Sequence, residues 1–175
     1  VEAREVSGST FFNMYKKAKD RPPIHSLPTQ ILGLDPGETT GVCSLTIDPN
    51  QLDNWAQDQV NTSIIEWGVD QYSRLITPSR TNLVIAESYR IYSWRVKQHT
   101  WSSLLTPRLV GSIETLCRLH GVPLIMQSAQ TGKAFCTDDR LKEWGLYWPG
   151  HPHAMDAARH LCTFLLFGEW NWDGK

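Results

Sequence analysis

Between residues 31 and 167 the chain alternates short apolar runs with polar or helix-periodic stretches. The first run, Ile31 to Leu34, ends in Asp35, and Pro36-Gly37 turns it toward Val42 to Ile47, where apolar and small polar residues alternate. That pattern predicts a strand, a turn and an antiparallel partner. The first run carries almost no polar residue before its end, so its strand is expected in the middle of the sheet, with Asp35 where the sheet opens to solvent. Asp48 to Val60 reads as a polar loop and Ser63 to Gly68 as a third strand that completes a meander. Asp70 to Ile76 has helical periodicity, with Val69, Tyr72 and Ile76 on one side and Pro78 as its stop. Asn82 to Glu87 then repeats the first construction, an apolar run ending in a carboxylate.

Further on, Thr106-Pro107 predicts a cap and first turn for a helix whose stripe is Leu109, Val110, Ile113, Leu116 and Cys117, stopped by Gly121. Val122 to Met126 is the next strand, Ser128 to Lys133 follows its end, and Thr137 to Trp144 is a short capped helix. His151 to Phe167 is the closing helix: Met155, Ala158, Cys162 and Leu165 or Leu166 form its buried stripe, while His153, Asp156 and His160 share another face. Residues 1–30 are polar and irregular, and Pro22, Pro23 and Pro28 mark them as an arm outside the sheet, with Phe11, Phe12, Met14 and Tyr15 able to form one short amphipathic turn. The expected architecture is α/β: a mixed sheet of about five strands, the first three antiparallel and the rest parallel, with helices on both faces, over residues 31–175.

Composition narrows the class. With 175 residues, 41% hydrophobic and 20% charged, the chain can bury one sizeable core. A net charge of -1 does not announce a nucleic-acid binder, so any such role must rest on local patches. Cys43, Cys117, Cys136 and Cys162 lack C-x-x-C spacing and sit mostly among apolar residues, which points to buried thiols in a reducing compartment. No run approaches a membrane span and no secretory signal opens the sequence, so a soluble, intracellular protein is expected.

The chemistry-bearing residues fall at element ends. Asp35 before Pro-Gly either caps a turn or serves a site; Glu87 is a surface residue or a partner of Asp35, because two parallel strands ending in carboxylates deliver both to one sheet edge. The segment from Ser88 to Arg108 holds Arg90, Arg95, Lys97 and Arg108 and no acidic residue, interleaved with Tyr89, Tyr92, Trp94 and Trp101. Cations neutralise phosphates and flat rings stack on unpaired bases, so this is a candidate DNA surface; the other reading is a loop whose rings reach the core. Lys133 lies in T-G-K, which is no Walker loop, and is either a phosphate or carboxylate partner or a solvated lysine. His153 and Asp156, one turn apart, can ligate a metal or simply charge a helix start.

As an ordered set, the D-P-G with its hairpin, the strand ending in Glu87, the helix and strand leading to Lys133, and the closing helix with His153-x-x-Asp156 resemble the RuvC-type Holliday junction resolvases of the RNase H-like, retroviral integrase-like superfamily. A viral or phage member fits the same pattern. The resemblance spans about residues 31–167 and implies that Asp35, Glu87 and Asp156 bind two Mg2+ (or Mn2+) ions, with His153 matching a histidine of some members. It implies Lys133 as a transition-state stabiliser, Tyr89 or Tyr92 as the aromatic that holds a junction open, and DNA as substrate; a symmetric junction has two strands to cut, so a homodimer is expected once that substrate is granted. Three carboxylates suffice for magnesium, and two ions about 3.5 to 4 Å apart would clamp the attacking and leaving oxygens. His153, at the helix start, is expected to serve the ions as ligand or water-orienting group; His160, one turn deeper, is expected to act through stability. The chain departs from the family in its preceding arm and in carrying His153 where many members have a second acidic residue. Other classes that share parts of the pattern are the nuclease domain of a viral DNA-packaging motor, an actin-like phosphate-binding domain and a noncatalytic DNA-binding module.

Overall fold

The computed structural model describes residues 3–7, 9–17, 28–47, 54–62, 65–89 and 104–168. In chain order its elements are β1 (Arg4–Ser7), α1 (Ser9–Lys17), β2 (Gln30–Asp35), β3 (Thr39–Thr46), β4 (Asn54–Asn61), α2 (Ile65–Leu75), β5 (Leu83–Ser88), α3 (Leu105–His120), β6 (Leu124–Ser128), α4 (Ala129–Phe135), α5 (Asp138–Glu143) and α6 (Pro152–Phe167). They build a six-stranded sheet in the order β1-β4-β3-β2-β5-β6. The pairs from β1 through β2 are antiparallel, and β2-β5 and β5-β6 are parallel.

Because side chains alternate across a strand, the two faces separate by parity. Ile31, Cys43, Leu45, Trp55, Leu83 and Ile85 meet α6, α1 and the segment around Leu141 and Trp144. Leu32, Leu34, Val42, Val84 and Ala86 meet Tyr72 of α2, Ile76 just after it, and Leu109, Ile113, Leu116 and Cys117 of α3. β2 is buried on both faces, as its unbroken apolar run requires. All four cysteines are buried free thiols.

Three expectations are corrected. Residues 4–7 join the sheet as its edge strand, tied down by Arg4, whose Nη1 donates to Tyr147 O at 2.8 Å. Behind them, Phe11 and Tyr15, one turn apart on α1, enter the core, with the Phe11 ring edge-on to Trp55 and Trp144. The third meander strand is Asn54–Asn61 and not Ser63 to Gly68, where α2 starts at Ile65. The polar letters of β4 hid it: Gln57 is buried, and its amide donates to Leu146 O. Finally, α3 begins at Leu105 after Leu104, without a side-chain cap, so Thr106 and Pro107 sit inside its first turn. Its stop at Gly121, in left-handed conformation, is as expected. Among the described residues no helix is long and apolar enough to cross a membrane.

α6 is the pivot of the site. It lies on β2 and β3 so closely that a Cβ at Gly33 would stand 2.7 Å from Ala157 O, and one at Gly41 would stand 1.9 Å from His153 O. Only hydrogen at both positions lets the first turns of α6 reach the end of β2. Gln59 of β4 then fixes the start of the helix: its Oε1 accepts from the amides of His153 (2.9 Å) and Ala154 (3.2 Å), two of the donors that a helix leaves unpaired.

Candidate active site

Asp35 is the last residue of β2, and Glu87 the fifth of the six in β5. The parallel register sets Leu34 opposite Ala86, so the two carboxylates stand one step further along neighbouring strands. Their parity is that of Ile31 and Ile85, which places both on the α6 face of the sheet. There α6 supplies His153 and Asp156, and α4 supplies Lys133. The sheet edge thus collects residues from four elements.

Each carboxylate has a nitrogen partner. His153 Nδ1–H donates to Asp35 Oδ2 at 2.8 Å. Lys133 Nζ meets Asp156 Oδ2 at 2.9 Å, while the Arg159 guanidinium takes Asp156 Oδ1 and reaches Asp138. His160 Nε2–H donates to Glu87 Oε2 at 3.0 Å. Asp35 is 8% exposed, and burial pushes its carboxyl above the usual carboxylate range; the His153 bond opposes the rise, whereas the charges of Glu87 and Asp156 add to it. Lys133 is held above the usual lysine range, first by its bond to Asp156 and further by the charges of Asp156, Glu87 and Asp35. One ammonium therefore feels all three carboxylates.

The turn that presents Asp35 is braced from the opposite face. Thr40 Oγ1 bonds the Tyr72 hydroxyl (2.6 Å) and Thr62 Oγ1 (2.8 Å), and Thr62 Oγ1–H donates to Gly37 O. Burial pushes the Tyr72 phenol up to about 12. This network keeps the Pro36-Gly37 turn from swinging with its carboxylate.

The structure brings together Asp35, Glu87, His153, Asp156 and Lys133 from the sequence reading. It adds two buried residues: Arg159, which the sequence reading did not single out, and His160, which it expected to act through stability. His160, expected to act through stability, contacts Glu87; its spacing of four residues from Asp156, on the same helix face, is the signal in the sequence for that proximity. Tyr89 follows β5 half-buried, and Arg108 is exposed on the first turn of α3. Arg90, Tyr92, Arg95 and Lys97 lie outside the described residues.

Among the described residues no three His, Cys, Asp or Glu side chains stand as a ready-made metal cage. The fit to divalent ions is one of donor chemistry: carboxylate oxygens at one edge, one of them pushed up by burial and further by the charges of the others.

No family model matches the chain, and no curated protein matches it. Solved structures do. Thermus thermophilus RuvC in complex with a Holliday junction substrate is 13% identical, with a TM-score of 0.59 over 79% of this chain and 94% of that one. A second Thermus thermophilus RuvC structure is 14% identical with a TM-score of 0.57 over the same shares. The yeast mitochondrial Holliday junction resolvase is 14% identical, with a TM-score of 0.56 over 91% of this chain and 86% of that one. At these identities the likeness is one of architecture: the mixed sheet flanked by helices is the RNase H-like fold that RuvC and the yeast resolvase share.

Proposed function

We propose that the chain is a divalent-metal-dependent endonuclease that hydrolyses phosphodiesters in branched DNA, four-way junctions above all. The observation that carries this reading is the meeting of three carboxylates at one sheet edge: the parallel β2-β5 register sends Asp35 and Glu87 out on the face where α6 supplies Asp156. Magnesium or manganese is the hard cation that such carboxylate oxygens suit. That a RuvC of the same fold is bound to a Holliday junction supports the choice of substrate.

Asp35, Glu87 and Asp156 would hold the ions, with His153 as a further ligand or as the group that orients water. When bound, two such ions supply an activated water and neutralise charge at the scissile phosphate. The chain's own residues set the rest. His153 donates through Nδ1 to Asp35, which fixes the ring and leaves the Nε2 lone pair for a proton or an ion. The Lys133 side chain is 57% exposed, so it is the partner of Asp156 that can turn to the charge developing on a phosphate. Arg159, buried, keeps hold of Asp156 meanwhile. In the reaction a water oxygen bonds to phosphorus as one P–O ester bond breaks, leaving a phosphate on one end and a hydroxyl on the other. Tyr89, Arg90, Tyr92, Arg95, Lys97 and Arg108 would meet the DNA. A symmetric junction has two strands to cut, so a homodimer with one site per subunit is the working form.

The test separates binding from cutting. Asp35→Asn, Glu87→Gln and Asp156→Asn remove charge without changing shape, so each should abolish cleavage of a four-way junction in magnesium while junction binding persists or tightens. A variant that cuts at the wild-type rate would remove its residue from the site.

A further inference from the structure

Glu87 and Gln127 are direct partners across the parallel β5-β6 pair, so their side chains leave one face of the sheet side by side. His160 descends from α6 between them, with Nε2 3.0 Å from Glu87 Oε2 and Nδ1 3.0 Å from Gln127 Oε1. The residue is 1% exposed. α4 closes over it: a Cβ at Gly132 would lie 3.4 Å from both Cε1 and Nδ1 of the ring. An imidazole bonded at both nitrogens and lidded by backbone has one orientation. A neutral ring that donates from Nε2 accepts at Nδ1 from the Gln127 amide turned to present its NH2; an imidazolium donates to both residues. In either form the hydrogen on Nε2 points at Glu87.

We propose that His160, backed by Gln127, is a positioning residue that fixes the Glu87 carboxylate for ion binding. The inference rests on the reading of Glu87 as an ion ligand. A glutamate at a strand end has three side-chain torsions to order, and ordering them at the moment of binding weakens affinity. Tethered through Oε2, Glu87 offers Oε1 to an ion in a set direction. Groups that hold a ligand in this way are worth about 10- to 100-fold in metal affinity.

The test is a calorimetric titration of the full chain with Mn2+, without DNA, alongside thermal melts without metal. His160→Leu should bind Mn2+ about 10- to 100-fold more weakly than wild type. His160→Gln, whose amide nitrogen can donate where Nε2 does, should recover most of that affinity, and Gln127→Met should weaken binding in the same direction by less. A purely structural histidine would lower the melting temperature of His160→Leu and leave the affinity of the folded fraction unchanged; that result overturns the proposal. So does His160→Gln binding as weakly as His160→Leu. Should His160→Leu fail to fold, Gln127→Met decides: weakened affinity supports the proposal and wild-type affinity overturns it. If the wild type takes up no Mn2+, the ion-site reading itself falls and this inference with it.

Discussion

Replacing Gly41 by Ala should disable the site by a single added methyl group on β3. The added Cβ would stand 1.9 Å from His153 O and 2.1 Å from its carbonyl carbon, both backbone atoms that no rotamer change can clear. Ordinary contact begins near 3.4 Å, so the start of α6 must retreat from β3 by about 1.5 Å, or the strand must bend by as much. Overpacking of this kind costs about 1–3 kcal/mol, which in a chain of this length lowers Tm by about 2–12 °C. The retreat also carries His153 away from Asp35 and strains the Gln59 bonds that hold the helix start. A misplacement of about 1 Å can cost about 100-fold in rate. Junction cleavage with magnesium, measured on protein shown by circular dichroism to be folded, should therefore fall by about 100-fold or more. Gly111→Ala is the control, because a Cβ there meets nothing within 4 Å and a helix interior gains from alanine. Wild-type cleavage and Tm for Gly41→Ala would refute the claim that close approach of α6 to β3 sets the geometry of the site.

Other perturbations probe separate links. Burial raises the Asp35 carboxyl, so the folded metal-free protein binds this proton more tightly than the unfolded chain, and stability is lost as pH rises from the ordinary value of 3.8 through the raised one. Asp35→Asn should accordingly raise the Tm of the metal-free protein at pH 7, a gain that shrinks as pH falls to the carboxylate range; a lower Tm at pH 7 would contradict it. Tyr72→Phe removes the hydroxyl that binds Thr40 behind the Asp35 turn and should cost about 0.5–1.5 kcal/mol in urea unfolding, with a loss of cleavage larger than stability explains. Arg95→Ala with Lys97→Ala should weaken binding to junction and duplex alike and flatten its salt dependence, read from titrations at several salt concentrations.

How much of this was legible in the sequence follows from where each signal lies. β2 and β5 announce themselves as apolar runs closed by a carboxylate, and their parity alone sets Asp35 and Glu87 on one face. α6 shows its helical period, so His153 and Asp156 could be placed one turn apart. β4 could not be read, because its inward positions include Gln57, whose burial is permitted by a carbonyl 89 residues away. β1 is four residues long and gains its place from pairing with β4, a contact that no local pattern encodes. Ser63 to Gly68 looked like a strand from two isoleucines in a row, yet helix starts at Ile65. Arg159 carried no signal of its own and His160 read as a residue acting through stability; what ties them to their neighbours is Asp138 on α5 for the one, and Glu87 and Gln127 on the sheet for the other, which only the tertiary fold supplies. Residues at strand ends are visible from a sequence, whereas the groups that hold them are not.

The most direct measurement is strand cleavage of an end-labelled four-way junction by the pure protein, compared with a linear duplex of the same sequence, in magnesium and in EDTA. The proposed function predicts paired, symmetric cuts in the junction, little cutting of the duplex, and no product in EDTA. Product formed equally in EDTA, or no cleavage of the junction by folded protein that binds it in magnesium, would contradict it.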